Sequence, residues 1–357
     1  MASLISNDSI IIVGAGIIGL NVALVLSERG YGQSITVVAE HFPGDTSSNY
    51  TSPWAGCNFS AISGTDANAL RWDRMGYAHL SKLASEQPQE AYVHWTPSTE
   101  LWDEVIPHDK IKHMSEYLRD FRILPETELP EGAKFAVSFT TITLNAPEHC
   151  KYLFRRLQDQ YGVRFVRQTL QSIQSAYVSP STKVVFNCTG LAAGTLPGVE
   201  DPKCYPTRGQ VLLARAPNVK TNMMRHGVDY ETYIIPRPGS NGNVILGGYM
   251  QKKVDDSSTY ASETESILAR TRDLSLEVRQ QQPEVLAAVA GLRPSREGGA
   301  RVDREEIIVY GERRALVHNY GAGGTGFQAG FGMAVESVAL VEDILRDIRF
   351  SKPQPRL

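Results

Sequence analysis

The pattern of hydrophobic and polar positions predicts alternating strands and helices near the start of the chain. Four apolar residues, Ile10 to Val13, predict a buried strand, and an apolar-rich helical pattern follows to about Arg29, where Gly30 suits a helix C-cap. A second short strand is predicted over Ile35–Ala39 and ends just before Glu40. A strand–helix–strand unit of this kind is typical of a doubly wound, Rossmann-like α/β domain.

The same alternation of buried strands and helices is predicted again later in the chain. Two strand-rich segments interrupt it. It is seen in a helix over 147–161, strands over 163–166 and 184–187, strands near 306–318 and a helix over 333–349. Residues 90–145 and 204–250 instead give short strands and hairpins, and helices are predicted over 66–86 and 262–281. We therefore predict two interleaved domains and a short tail: a nucleotide-binding domain from 1–60, 147–200 and 288–350, a mainly antiparallel-sheet substrate domain from 61–146 and 201–287, and a tail over 351–357.

A glycine motif opens the first predicted helix. Its six residues are Gly14, Ala15, Gly16, Ile17, Ile18 and Gly19. The first glycine makes the tight turn, the second leaves room for a pyrophosphate, and the third lets helix and strand pack closely. The helix start offers N–H groups to phosphates, and Glu40 lies where an acid would accept hydrogen bonds from ribose hydroxyls. The motif predicts a dinucleotide site.

Composition narrows the class of protein. The 357 residues carry a net charge of −3, which gives no reason to expect nucleic acid or an anionic membrane as partner. Asp8 and the absence of a basic residue before the apolar run argue against a secretory signal, and the glycines within the run argue against a membrane span. The four cysteines match no metal spacing and fit a reducing interior, so no metal site is predicted.

Other loops offer further contacts to a cofactor. The hydroxyls of Thr46, Ser47 and Ser48 suit a segment that lies against a ligand, although the segment taken alone favours an ordinary surface loop. Thr189 and Gly190 end a buried strand, where backbone N–H groups meet a ligand at the carboxyl edge of a parallel sheet. Residues 316–334 predict a strand, a second glycine-rich turn and a helix start, which can stabilise an anionic reduced flavin. An NAD dehydrogenase needs no such second turn, and this favours a flavin.

The run 316–334, from Leu316-Val317-His318-Asn319-Tyr320-Gly321 to Ala334, resembles the signature of the D-amino acid oxidase family, which includes D-aspartate oxidases. Other matching pieces are Ser52-Pro53-Trp54-Ala55-Gly56, Asn187-Cys188-Thr189-Gly190, Arg208-Gly209-Gln210, Tyr233-Ile234-Ile235-Pro236-Arg237-Pro238, Gly247-Gly248 and Gly291-Leu292-Arg293-Pro294. The resemblance covers the whole chain in order.

The resemblance implies tightly bound FAD, with a sheet domain covering the substrate side of the flavin. The family reaction moves the α-hydrogen of a D-amino acid, as hydride, to flavin N5. It yields a 2-oxo acid and ammonia, and molecular oxygen reoxidises the flavin and gives hydrogen peroxide. No catalytic acid or base on the protein is required, so catalysis would be positioning and electrostatics.

The resemblance also assigns roles to individual residues. Arg293 matches the arginine that binds the substrate α-carboxylate, Tyr233 matches a tyrosine that contacts the same group, and Gln328 and Gly324 match positions near the flavin ring or the substrate amine. The full set of candidate FAD contacts is Gly14, Ala15, Gly16, Ile17, Ile18, Gly19, Glu40, His41, Thr46, Ser47, Ser48, Gly56, Cys57, Asn58, Val166, Thr189, Gly190, Arg293, Gly321, Gly323, Gly324, Thr325, Gly326, Phe327 and Gln328.

The substrate side chain is less well defined. D-aspartate oxidases carry an arginine near the position of Arg225, which would pair with a side-chain carboxylate and favours acidic D-amino acids. The alternative is that Arg225 points at water and that the substrates are neutral or aromatic. Fungal members commonly have a tyrosine two residues after the Gly-Gly pair; here either Met250 replaces that hydroxyl or Tyr249 supplies it after a change of register.

Other interpretations remain open. A sarcosine- or glycine-type oxidase would share the fold, and an NAD(P)-binding reductase or a non-catalytic nucleotide-binding protein would share the first glycine motif. The terminal Pro355-Arg356-Leu357 resembles a peroxisomal address read by an import receptor, which predicts the peroxisomal matrix, otherwise the cytoplasm. Family members often form homodimers, so the resemblance makes a homodimer one of the assemblies open to this chain.

Overall fold

A computed structural model describes residues 9–60, 64, 66–228 and 230–350. The strands are β1 Ile10–Val13, β2 Ile35–Ala39, β3 Val93–Trp102, β4 Arg119–Ile123, β5 Phe135–Leu144, β6 Arg164–Arg167, β7 Val184–Asn187, β8 Cys204–Arg215, β9 Asn222–His226, β10 Glu231–Pro236, β11 Asn243–Gly247, β12 Gln251–Lys252, β13 Glu284–Arg296, β14 Arg301–Val309 and β15 Glu312–Tyr320. The helices are α1 Ile17–Glu28, α2 Ala67–Glu86, α3 Pro88–Ala91, α4 His108–Ser115, α5 Ala146–Tyr161, α6 Ala261–Leu274, α7 Leu276–Gln281, α8 Gly326–Ala339 and α9 Glu342–Phe350. The predicted tail, 351–357, lies outside the described residues.

The smaller sheet is built from both ends of the chain. Its six strands follow the order β14-β15-β7-β1-β2-β6, and all neighbours are parallel except the β14–β15 pair. Every residue of β1 and β2 is buried, because helices and loops cover both faces of a parallel sheet. The α/β prediction is confirmed by this sheet.

The larger sheet has nine strands and is mainly antiparallel. Its path is β12-β8-β11-β10-β9-β3-β5-β4, and β13 pairs with β8 along its whole length. Only the β3–β9 pair is parallel among these strands. Alternation along the strands sends one row of side chains toward the smaller sheet, and this row contains Met224, Tyr233 and Ile235.

Some predicted boundaries were wrong. Strand β13 belongs wholly to the larger sheet, so residues 288–296 lie outside the nucleotide-binding unit to which we had assigned them. The helix predicted over 262–281 is two helices, because the Ser275 side chain accepts a hydrogen bond from the Val278 N–H and starts α7. The last helix begins at Gly326 rather than Met333. The first turns of this helix are rich in glycine, so the spacing of apolar residues did not predict its start.

Helix α8 joins the two units. It packs against α1 on one side and α2 on the other. A β-carbon on Gly332 would lie 2.6 Å from Trp72 Cα, so a glycine is required for this close backbone approach. The Trp72 indole donates a hydrogen bond of 2.5 Å to Glu336 across the same contact. These contacts hold the second half of α8 against α2. Across the described residues, we found no helical segment with the length and hydropathy needed to cross a bilayer.

Candidate active site

A cavity of about 730 Å³ lies between the two sheets. One end is formed by the turns that follow β1, β2, β7 and β15, and the other end by the inner face of the larger sheet. Its volume is in the upper part of the range for small-molecule sites, roughly 300–1,000 Å³. Most predicted cofactor contacts line it: Gly14, Ala15, Gly16, Ile17, Ile18, Glu40, His41, Ser48, Gly56, Cys57, Asn58, Thr189, Gly190, Arg293, Gly321, Gly323, Gly324, Gly326, Phe327 and Gln328.

The first glycine turn is built as the motif predicts. Gly14 has a φ of +108°, and its N–H donates to the Val38 carbonyl at 2.8 Å. A β-carbon here would lie 3.0 Å from the Cys188 carbonyl carbon, and one on Gly19 would lie 3.0 Å from the Gly14 carbonyl carbon. Gly16 is the N-cap of α1, whose first turn has neither an acidic residue nor a side-chain cap. This helix start lines the cavity as an anion site, and the Ser52 hydroxyl already accepts from its first N–H group, that of Ile17.

The turn after β2 forms the outer end of the cavity. Glu40 and His41 line it, and the Arg167 guanidinium donates to the Glu40 carbonyl at 2.8 Å and to the Asp45 carboxylate at 2.5 Å. The hydrogen bond from Arg167 lowers the pKa of Asp45. This ion pair holds the turn that presents Glu40.

Five predicted cofactor contacts do not line the cavity. Gly19 is used in helix–turn packing, and Val166 lies in β6 at the sheet edge, beyond β2. The Ser47 carbonyl accepts from the Trp54 indole at 3.1 Å, and the neighbouring Thr46 is exposed. The Thr325 hydroxyl donates back to the Ala322 carbonyl at 2.8 Å. These residues therefore belong to the structure around the cavity and do not line it.

The second glycine turn brings another helix start to the same cavity. Gly321 and Gly323 have φ values of +84° and +57°, and α8 follows with no side-chain cap and no acid in its first turn. Gln328 lines the cavity, but its amide is engaged elsewhere: Nε2 donates to Asp73 Oδ2 at 3.1 Å, and Oε1 accepts from the Ser60 N–H at 3.2 Å. The hydrogen bonds of this amide to Asp73 and Ser60 therefore fix the orientation of the helix start.

At the far end, an arginine and a tyrosine lie side by side. Arg293 Nη2 is 3.3 Å from the Tyr233 hydroxyl, and Nη1 donates to the Tyr249 carbonyl at 3.0 Å. Glycines make room for both: a β-carbon on Gly209 would be 2.7 Å from Arg293 Cζ, and one on Gly247 would be 2.7 Å from the Tyr233 hydroxyl. Burial raises the pKa of Tyr233, so the hydroxyl stays protonated and can donate.

Arg225 does not reach the cavity. It pairs with Thr232 in the sheet, whereas Met224 pairs with Tyr233, so the Arg225 side chain leaves the opposite face. Its Nε donates to Asp103 Oδ1 at 2.8 Å, and Nη2 donates to the Glu131 carbonyl at 3.0 Å. The predicted role as a clamp for a side-chain carboxylate is therefore not supported by the geometry, because strand alternation turns the arginine away.

The structure distinguishes the two alternatives for the position of the family tyrosine, Met250 and Tyr249. Met250 lines the cavity and is 49% exposed, so it lies near the mouth. The ring of Tyr249 is 5.3 Å from the Arg270 guanidinium, outside the cavity, and only its backbone carbonyl meets Arg293. Tyr249 does not supply the missing hydroxyl.

Several lining residues were not predicted. Tyr50 donates from its hydroxyl to the Ala15 carbonyl at 2.7 Å, and Ser52 Oγ accepts from the Ile17 N–H at 3.0 Å. Met224 and Glu231 line the far end. The alternation of β9 and β10 would have identified these last two, had the register of the hairpin been known.

The arrangement fits FAD. Two helix starts face one cavity; neither N-cap residue caps its helix with its own side chain, and neither first turn carries an acid. This suits a diphosphate and an electron-rich flavin edge. Glu40 at the outer end suits the ribose, and the Arg293–Tyr233 pair at the inner end suits a carboxylate beside the ring. Within the described ranges, no group of three His, Cys, Asp or Glu side chains is arranged to hold a metal ion.

Comparisons with known proteins agree with this geometry. The chain is 45% identical over 336 residues to a D-amino-acid oxidase of Schizosaccharomyces pombe, covering 93% of this chain and 95% of that protein. It is 29% identical over 367 residues to a D-amino-acid oxidase of Fusarium vanettenii, covering 95% and 98%. The structure of a glycine oxidase from Bacillus cereus matches with a TM-score of 0.72 at 18% identity, covering 94% of this chain and 97% of that one, which shows a shared fold. A family model described as FAD dependent oxidoreductase matches residues 9–340. The chain therefore belongs to the family of FAD-dependent oxidoreductases, and the predicted cofactor is confirmed.

Proposed function

We propose that this protein is a D-amino acid oxidase, which converts a D-amino acid to a 2-oxo acid and ammonia and passes the electrons to oxygen as hydrogen peroxide. One observation carries the proposal: the Arg293 guanidinium and the Tyr233 hydroxyl lie together at the inner end of the cofactor cavity. The two relatives named D-amino-acid oxidases support it.

The residues act by positioning the substrate. The Arg293 fork would bind the α-carboxylate with two parallel hydrogen bonds, and the protonated Tyr233 would add a third. Bound FAD supplies the acceptor for the α-hydrogen. The Tyr249 carbonyl fixes the guanidinium by accepting from Nη1, so the carboxylate is held at one orientation. No side chain is assigned as an acid or base, and the rate gain comes from orientation and preorganised charge.

A preference for acidic substrates is the finer hypothesis from the sequence. It requires Arg225 to leave its ion pair with Asp103 and to reach the other face of the sheet. Breaking such a partly buried pair costs free energy. The alternative with neutral or aromatic D-amino acids needs no such rearrangement, and we favour it over the acidic one.

The test is peroxide release from D-Asp, D-Glu, D-Ala and D-Phe, with L-Asp as the control, for the wild type and Arg225→Ala. We expect D-Ala or D-Phe to exceed D-Asp, and the substitution to leave the ratio of D-Asp to D-Ala unchanged. A strong preference for D-Asp that Arg225→Ala removes would restore the acidic hypothesis. No peroxide with any D-amino acid would refute the oxidase function itself.

A further inference from the structure

A carboxylate, that of Glu231, lies beside Tyr233 on the inner wall of the cavity. Glu231 lies two residues earlier on β10, so its side chain leaves the same face of the sheet, and it lines the cavity. Two residues of a strand span about 7 Å. A substrate held by Arg293 and Tyr233 would therefore reach Glu231 with a side chain of four carbons and a terminal polar group.

Glu231 is held in place by a charged cluster. His226 is its cross-strand partner, and His226 Nδ1 lies 2.8 Å from Glu231 Oε2. On its other side His226 Nε2 lies 3.4 Å from Glu100 Oε2, and its ring stacks on Trp102 at 4.9 Å. Within the described part of the chain, Glu231 Oε1 accepts no hydrogen bond, so one oxygen of this carboxylate remains for a ligand.

Charged groups of both signs surround this cluster, and the Arg270 guanidinium donates to the backbone carbonyl of Glu231. Glu100 is completely buried, and its Oε1 has no hydrogen-bond partner among the described residues. Lys110 approaches from α4 and Asp73 from α2, but Lys110 forms no ion pair with Glu100 or Glu231 in the described ranges. A single imidazole thus stands in direct contact with two carboxylates.

The rest of the cavity offers little positive charge to a substrate side chain. Of the described residues that line it, Arg293 is the only lysine or arginine, and the α-carboxylate of the substrate would occupy it. The other described carboxylates that line the cavity are Glu40 at the outer end, Asp201, which is paired with Arg296, and Asp255. Asp255 follows β12, whose Lys252 pairs with Thr207, the strand partner of Arg293. An acidic side chain would therefore meet like charge, whereas a cation would meet opposite charge.

We propose that Glu231 determines specificity by binding an ammonium or guanidinium group at the end of the substrate side chain, so that D-amino acids with cationic side chains are preferred. The inference rests on the proposed oxidase function and names the substrate class of that site. The free oxygen of Glu231 would accept a charge-assisted hydrogen bond, and the Arg293–Tyr233 pair would hold the other end of the substrate.

The test compares kcat/KM for D-Lys, D-norleucine and D-Glu at neutral pH, because D-norleucine has the carbon chain of D-Lys without its ammonium group. We expect the wild type to prefer D-Lys, with D-Glu the poorest. Glu231→Gln keeps the size of the side chain and an oxygen for His226, and it should lower kcat/KM for D-Lys about tenfold or more while D-norleucine changes less than about twofold. The ratio of the two substrates is the readout, because a merely structural defect would lower both equally.

Glu265→Gln is the matched control, since Glu265 is an exposed carboxylate on α6. Neither substrate should respond to it. D-norleucine exceeding D-Lys in the wild type would overturn the inference even if Glu231→Gln failed to fold, and so would an equal loss for both substrates in that variant. Oxidation of D-norleucine without a preference for D-Lys refutes this inference alone. Oxidation of no D-amino acid refutes the proposed function, and the inference with it.

Discussion

Gly209→Ala tests how closely catalysis depends on the position of the carboxylate-binding arginine. The added methyl would lie 2.7 Å from both Cζ and Nη2 of Arg293, well inside the 3.4 Å at which ordinary van der Waals contact begins. The guanidinium must therefore move by several tenths of an ångström or more, and it loses its alignment with Tyr233. Misplacement on the scale of 1 Å costs about 100-fold in rate, so we expect kcat/KM for D-amino acids to fall by about that factor.

A double-mutant cycle provides the control. Arg293→Ala removes both charge-assisted hydrogen bonds to the carboxylate and should lower kcat/KM by about 100- to 10,000-fold. Because the methyl acts only through the arginine, Gly209→Ala should have little further effect when Arg293 is already alanine. Peroxide release and flavin content are measured for all four proteins. Full activity of Gly209→Ala, or losses that add in the double variant, would refute the reasoning.

Three further predictions concern other parts of the site. Tyr233→Phe should lower kcat/KM about tenfold with flavin content unchanged, because one hydrogen bond to the carboxylate is lost; a loss of flavin instead would contradict the role. Gly14→Ala should purify with little flavin, since the methyl would lie 3.0 Å from the Cys188 carbonyl carbon at a φ of +108°, and a full flavin spectrum would contradict this. Although burial opposes its charged form, hydrogen bonds to Glu100 and Glu231 raise the pKa of His226 from 6.5 to about 9. Its stabilising contribution, at most about 3 kcal/mol, is therefore complete below the unfolded value and is lost as the pH rises through the folded value. Urea unfolding across this pH range should show the loss in the wild type and not in His226→Asn.

The cofactor end could be predicted because its chemistry is local in sequence. Gly14, Gly16 and Glu40 act through a turn, a helix start and a strand end that lie within one short stretch of chain, so spacing alone locates them. The second turn around Gly323 was found for the same reason. What spacing could not show was that α8 begins at Gly326, because its first turn is held by packing against α2 rather than by helix propensity.

The substrate end was predicted less completely because it depends on strand register. Arg225 and Met224 are neighbours in sequence, yet one faces an ion pair outside the cavity and the other lines it. Glu231 carried no motif and became a candidate only when its strand was placed beside that of His226. A shift of one residue in the pairing of β9 with β10 would have reversed every one of these assignments.

The two helix starts that meet at the cofactor cavity begin at Ile17 and Gly326, so nearly the whole chain separates them. During synthesis the binding site would stay incomplete until the segment that contains Gly326 has left the ribosome and folded. FAD would then bind only after both segments have folded, and it would contact both of them. A ligand that binds only the folded form stabilises that form by mass action. Flavin supply would thus govern how much of the newly made protein survives, and the apoprotein should be more readily digested by proteases than the loaded enzyme.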